Sequence, residues 1–237
     1  MAHITLTVLP GASGLNPVKV GAFLEQLGLD YEVKTVDLGS TDKATGVKGE
    51  DFLRLCPNGR TPALIDHQQQ DFVVWESGAI LQYLAEVYDT EHKYHGKTPF
   101  ERAIVNEWLF FQVTGHSPVQ GNLNFAKYYW PKVFNEEAPV NVFKRFGNEL
   151  YRVMGVYELQ LSQQAAKYGE ENAWLAANHL TIADFSALGW FVEYPKMPAP
   201  ALDVGDFPHV QKYMHKLSSL PALAPLMLQI EQAYREC

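Results

Sequence analysis

Cysteine is scarce in this chain: of 237 residues, only Cys56 and Cys237 carry a thiol. Two such distant thiols supply no multi-disulfide framework, no C-x-x-C redox pair and no cysteine-rich zinc site. A reducing, cytoplasmic setting is the expectation. Charge is sparse and tilted, with 19 basic against 27 acidic residues and a net charge of −8. That balance argues against nucleic acid or an anionic membrane as partner. No apolar run reaches the roughly 20 residues needed to cross a bilayer. Met1-Ala2-His3-Ile4-Thr5-Leu6 alternates like a strand and predicts no secretory leader, and Glu236-Cys237 lacks the prenylation pattern. A Walker loop, a dinucleotide fingerprint and a zincin motif are all missing. His92 and His95 flank Lys93-Tyr94 with no further ligand cluster accompanying them, so they read as solvated linker and no metal is expected.

What is present suits an ordinary globular protein, 47% hydrophobic and long enough to bury a sizeable core as one domain or two. His3–Leu9 reads as a strand. Asn16-Pro17 is a good helix start, with Asn as cap and Pro at the first helical position. Val20, Phe23, Leu24 and Leu27 then follow at one-face spacing to a stop at Gly28. Tyr31–Asp37 is a second strand, 39–49 a polar mobile loop, and Glu50–Leu55 a short helix. Ala63–Asp66 and Phe72–Trp75 pair as a hairpin before a helix over Ser77–Val87. Residues 1–88 therefore run β-α-β-α-β-β-α. A polar linker spans 89–98, and 99–237 is helical throughout. There Ile104, Trp108 and Phe111 share a face, and Val142, Phe146, Leu150, Val153, Tyr157 and Leu161 form a long stripe.

The densest local signal is Asn58-Gly59-Arg60-Thr61-Pro62-Ala63-Leu64-Ile65, followed by Trp75-Glu76-Ser77-Gly78-Ala79-Ile80-Leu81-Gln82-Tyr83-Leu84. A turn, a proline at a strand entrance, and a Glu-Ser pair opening an apolar helix can together grip a peptide. Backbone near Thr61-Pro62 suits strand-like pairing with an extended ligand, and Ser77 with the helix amides suits a carboxylate. Farther on, Leu180-Thr181-Ile182-Ala183-Asp184-Phe185 reads as a variant capping box, with Asp in place of the usual Glu or Gln.

The order of these parts resembles the glutathione S-transferase superfamily over most of the chain. Asn16-Pro17-Val18-Lys19-Val20, Pro57-Asn58-Gly59-Arg60, Trp75–Ile80 and Glu107-Trp108-Leu109-Phe110-Phe111-Gln112 are similar to its fungal, prion-type nitrogen-regulator-like class, related to bacterial disulfide-bond-type transferases. The resemblance implies an α/β thioredoxin-like N-terminal domain and an all-α C-terminal domain. It also implies glutathione as co-substrate, no other cofactor, a hydrophobic electrophilic small molecule as acceptor, and a homodimer.

By the same resemblance, Asn16 at a helix start donates to the glutathione sulfur; Ser13 is the alternative, and Gly14 offers no side chain. Thr61 pairs with the cysteinyl backbone beside a cis Pro62, Glu76 takes the γ-glutamyl ammonium and Ser77 its carboxylate. Where related chains carry Gln or His for the glycyl carboxylate this one has Val47, leaving Lys48 or Arg60 as substitutes. The acceptor site implied between the domains draws on Phe111, His116, Asn124, Lys127, Tyr128 and Trp130, in a stretch where Gly115, Pro118 and Gly121 are expected to interrupt any helix. The reaction expected is thiolate attack on an electrophile, with a fungal biosynthetic tailoring step as one setting. Glutathione-dependent disulfide exchange or peroxide reduction, and a non-catalytic regulatory module, are the alternatives.

Overall fold

The computed structural model describes residues 3–9, 15–192 and 204–226. Within them the chain divides into two compact units, one running up to Lys97 and joined by the stretch from Ser219, the other Thr98–Ser218.

The first unit is built on four strands, β1 (Ile4–Val8), β2 (Tyr31–Thr35), β3 (Ala63–Asp66) and β4 (Phe72–Trp75), in the order β2-β1-β3-β4. β1 is parallel to β2 and antiparallel to β3, which in turn is antiparallel to β4. Lying between two partners, β1 is buried along its whole length. That explains its β-branched, uncharged sequence Ile-Thr-Leu-Thr-Val. β2 has one partner and alternates buried with exposed. The hairpin forms at the expected residues, joined by a 3₁₀ turn that the Asp66 carboxylate caps by accepting from the Gln68 and Gln69 amides.

Helices α1 (Leu15–Leu27) and α3 (Ser77–Tyr88) pack against each other. Gly28 takes φ +66° just past α1 and ends it, as a glycine stop should. α2 (Glu50–Leu55) is the predicted short helix. Two expectations fail here. Residues 39–49 are not a loose loop: Asp42 accepts from the Ala44 and Thr45 amides and the Thr45 hydroxyl, and Asp37 bridges to Gly46. The 89–98 stretch is not simply solvated either. Asp89 accepts from the Tyr94 amide, Tyr94 receives a hydrogen bond from Gln26 and packs edge-on against Phe23, and His95 is buried.

The second unit is helical: α4 (Pro99–Phe110), α5 (Ser117–Asn124), α6 (Trp130–Phe134), α7 (Val140–Tyr168), α8 (Ile182–Val192) and α9 (Pro208–Ser218). α4, α5 and α6 form one continuous helical path, linked by π-helical turns at Phe111–His116 and Phe125–Tyr129. The expected interruption by Gly115, Pro118 and Gly121 does not occur. Pro118 lies in the first turn of α5, directly after a wide π-turn, where its missing N–H costs least. Ile104 is 44% exposed. The buried face of this path instead runs Val105, Leu109, Gln112, His116, Gln120, Leu123. The α7 stripe is as expected at Leu150, Val153, Tyr157 and Leu161, and α8 is buried along nearly its whole length. No helix among the described residues is long and apolar enough to cross a membrane.

Candidate functional site

The 57–62 segment leaves α2 through a turn in which the Gly59 amide donates to the Cys56 carbonyl. Gly59 takes φ +59°, and a Cβ there would lie 2.7 Å from the Lys48 ammonium. Lys48 Nζ donates to the Asn58 carbonyl at 3.0 Å and the Cys56 thiol to the Arg60 carbonyl at 3.3 Å. The Thr61–Pro62 bond is cis, as the resemblance implied, at the entrance to β3. Thr61 is half-buried and Pro62 buried, while Lys48 and Arg60 are exposed.

β3 is paired to β4 in a register that sets Ala63 opposite Trp75. The next residue, Glu76, occupies the left-handed region at φ 70°, ψ 115°. A non-glycine residue persists there only when its surroundings fix it. Two such constraints are visible: Ile80 donates its amide to the Glu76 carbonyl, and Asn58 Nδ2 donates to Glu76 Oε1 at 3.1 Å. Ser77 then opens α3, nearly buried, at the helix end whose first-turn amides have no intrahelical acceptor. Thr61-Pro62, Glu76 and Ser77 are thus gathered around the β3–β4 end of the sheet.

Asn16 is half-buried and is the second residue of α1, which already begins at Leu15. It therefore lies inside the first helical turn rather than at the cap position assigned from sequence. Ser13 lies outside the described residues. Val47 is core: it is buried with Val36, Phe52, Cys56 and Ala63, which is why a polar side chain is not found at that position.

Sequence reasoning missed two residues here. Asn58 holds Glu76; the only hint was its place in the Asn-Gly turn. Lys19, one turn on from Asn16, is 1% exposed. Burial drives its pKa down to about 7, and the Glu76 carboxylate partly opposes the shift. A lone lysine among Val18, Val20, Phe23 and Leu24 was the available signal.

The acceptor candidates separate in the second unit. Phe111 is half-buried and packs edge-on against Trp108 and Tyr157. Asn124 and Trp130 are half-buried, whereas Lys127 and Tyr128 are exposed. Phe125 stacks on Tyr129 and meets Trp130 edge-on, so the 125–134 segment carries an aromatic surface. His116 does not belong with them. It is fully buried, with Nε2 2.6 Å from Gln120 Oε1 and Nδ1 3.3 Å from the Tyr157 hydroxyl, and is ringed by Tyr157, Trp190 and Phe191. Gln120 passes the network on to the Trp190 carbonyl. His116 is a buried core histidine with both ring nitrogens engaged.

Residues 4–86 match the family model of the glutathione S-transferase N-terminal domain, and 127–221 that of the C-terminal domain. A glutathione S-transferase-like protein of Aspergillus terreus is 34% identical over 87% of this chain and 88% of its own length. Among solved structures, the Phanerochaete chrysosporium glutathione transferase URE2P8 with oxidized glutathione superposes with a TM-score of 0.84 at 32% identity, covering 98% of this chain and 96% of that one. Ure2p5 of the same fungus, cocrystallized with 1-(S-glutathionyl)-2,4-dinitrobenzene, gives 0.80 at 35% identity, covering 100% and 98%.

Proposed function

This chain belongs to the glutathione S-transferase family, in its Ure2-like branch, and we propose that it holds glutathione along the Thr61–Ser77 edge of the first unit and directs its thiolate onto a hydrophobic electrophile. The observation that carries this is the junction of β4 and α3. Glu76 is fixed in the left-handed region by Asn58, and Ser77 stands at the open helix end beside the cis Thr61–Pro62 bond. A carboxylate beside a helix N-terminus offers opposite charges a short distance apart, which is what a zwitterionic γ-glutamyl group requires. Thr61 pairs with the cysteinyl backbone in strand fashion, and Lys48 or Arg60, both exposed, answer the glycyl carboxylate.

In the proposed step the thiol proton leaves to solvent, and the Asn16 amide with the α1 dipole stabilises the sulfur anion. The sulfur then forms a bond to the electrophilic carbon, which expels its leaving group or, in an addition, takes up a proton. Lowering the thiol pKa by two units requires about 2.7 kcal/mol, within reach of one good donor plus the dipole. The aromatic surface around Phe125–Trp130, with Phe111, Asn124, Lys127 and Tyr128, supplies the acceptor contacts. The glutathionyl-dinitrobenzene held by a similar protein supports an aromatic electrophile as a first acceptor to try.

The working organisation is a glutathione-binding domain over 1–88, a linker over 89–98 and an acceptor domain over 99–237. The protein is taken to act as a cytoplasmic homodimer. Calorimetry with glutathione, followed by a conjugation assay with 1-chloro-2,4-dinitrobenzene, tests the function. Binding that Ser77→Ala weakens at least tenfold, with measurable conjugation by the wild type, is the expected result. Absence of glutathione binding by the folded wild type would overturn it.

A further inference from the structure

Asn58 stands in the turn that leads from α2 to the cis Thr61–Pro62 bond, and it is engaged through both its backbone and its side chain. Its carbonyl accepts from Lys48 Nζ at 3.0 Å, and its side-chain Nδ2 donates to Glu76 Oε1 at 3.1 Å. The amide nitrogen must be the atom that faces Glu76, because a carboxylate only accepts. No other hydrogen bond or ion pair reaches the Glu76 carboxylate among the described residues, so Oε2 is open. Both residues are exposed. The turn itself does not depend on the Asn58 side chain: the Gly59 amide closes it on the Cys56 carbonyl, and Lys48 meets the Asn58 carbonyl. The backbone of Glu76, at φ 70°, is tied to α3 by the Ile80 amide. What the Asn58 side chain adds is the placement of the carboxylate.

An exposed glutamate side chain samples several rotamers, and a ligand that needs one of them loses affinity to the entropy of selecting it. The Asn58 amide makes the selection beforehand, and it does so without charge. A lysine or arginine at 58 would orient the carboxylate as well, but an incoming ammonium would then compete with a cation already in place. A neutral donor on Oε1 leaves the negative charge, and Oε2, for a cation from outside. Ser77 and the open amides of α3 come next in the chain and suit an anion. We infer that Asn58 is a positioning residue for the γ-glutamyl group: by holding Glu76 Oε1 it presents Oε2 to the ligand's ammonium, beside the helix start that receives the adjoining carboxylate. The inference rests on the glutathione reading above and deepens it by naming what sets the preference for an ammonium at that end of the ligand.

Two ligands test it by calorimetry on the full-length protein: S-methylglutathione, and its glutaryl analogue in which hydrogen replaces the γ-glutamyl ammonium. Neither has a thiol, so Asn16 and the thiolate chemistry do not enter. The wild type should bind S-methylglutathione about twentyfold more tightly than the analogue. Asn58→Ala should melt like the wild type, bind S-methylglutathione about fivefold more weakly and bind the analogue as the wild type does. That split separates positioning from a structural role, since a disturbed turn would weaken both ligands alike. Asn58→Lys, which sets an ammonium against Glu76, should bring the two affinities to within about twofold of each other. A folded Asn58→Ala that keeps the full preference, or that loses affinity for both ligands equally, overturns the inference while glutathione binding stands. So does an Asn58→Lys that keeps the preference, or a wild type that has none. If the wild type binds neither glutathione nor S-methylglutathione, the functional reading itself fails and takes this inference with it.

Discussion

Replacing Asp184 with alanine should cost the second unit most of its margin of stability. The carboxylate is fully buried at the start of α8 and accepts four hydrogen bonds. Oδ1 receives the Leu175 amide at 3.0 Å and the Tyr213 hydroxyl at 2.8 Å. Oδ2 receives the Thr181 amide at 2.8 Å and the Thr181 hydroxyl at 2.9 Å. One side chain thus ties the 173–181 loop, the helix start and α9 together. Alanine strands two buried amides and two buried hydroxyls, and each unsatisfied group costs ~1–3 kcal/mol. The hydroxyls can rotate toward other acceptors, so the amides dominate and the total comes to about 4 kcal/mol. For a chain of this size that lowers the melting temperature by roughly 10 °C. Asp184→Asn keeps the shape but turns an amide N–H toward one of the donors, for a loss of about 2–3 kcal/mol. Urea unfolding followed by tryptophan fluorescence reads both, since Trp174 and Trp190 flank the network. A loss below 1 kcal/mol for the alanine variant would refute this assignment of the carboxylate as the joint of the unit.

Three further outcomes follow from other parts of the molecule. His116→Ala should destabilise the fold by about 3 kcal/mol through cavity and lost network while leaving the KM for 1-chloro-2,4-dinitrobenzene unchanged; a raised acceptor KM in a folded variant would restore His116 to the acceptor site. Gly49→Ala should cost about 2–3 kcal/mol, because its Cβ would run into the Asp42 carbonyl oxygen of the neighbouring backbone. Gly28→Ala, where nothing lies within 4 Å and only the φ of +66° is at issue, should cost about 1 kcal/mol; equal losses in chemical denaturation would contradict the distinction. Stability should also depend on pH through Lys19. Its ordinary pKa of 10.5 falls to about 7 on folding, so between those values the unfolded chain holds a proton that the folded chain does not. Stability therefore rises with pH from about 7 toward 10.5, and below 7 the contribution stays at its minimum. Lys19→Met should lack that rise in melts taken across the same pH range.

Where hydrophobic pattern and turn chemistry agreed, the fold could be read from sequence. The hairpin at 63–75 appears at the expected residues because two short runs of strand-forming residues flank the polar turn His67–Asp71. α2 and the start of α3 appear likewise. The failures have separate causes. Gly115, Pro118 and Gly121 are breakers by propensity, but π-turns at 111–116 and 125–129 absorb them without ending the helical path. The buried face of that path includes Gln112, His116 and Gln120. A pattern sought among apolar residues therefore slid one position, to Ile104. The 39–49 stretch looked loose because its order comes largely from the Asp42 side chain and from backbone hydrogen bonds, with Val47 as its contact to the core.

The proposed glutathione contacts were legible as a motif but not as a mechanism. Thr61, Pro62, Glu76 and Ser77 announced themselves by order along the chain. Asn58 meets Glu76 across 18 residues of sequence, a relation that no local pattern encodes. Val47 read as a missing ligand when it is core, since the loop that carries it folds inward to meet Val36 and Phe52.

The central claim is that the start of α1, through Asn16, stabilises the thiolate of glutathione held at the Thr61–Ser77 edge. Titration of the ultraviolet thiolate absorbance of bound glutathione, on the wild type and on Asn16→Ala, tests it most directly. A bound thiol pKa about two units below the ~8.5 of a free thiol, rising by at least one unit in Asn16→Ala while binding persists, is the predicted result. A bound thiol that titrates like free glutathione in the wild type, or identically in the two proteins, would contradict it.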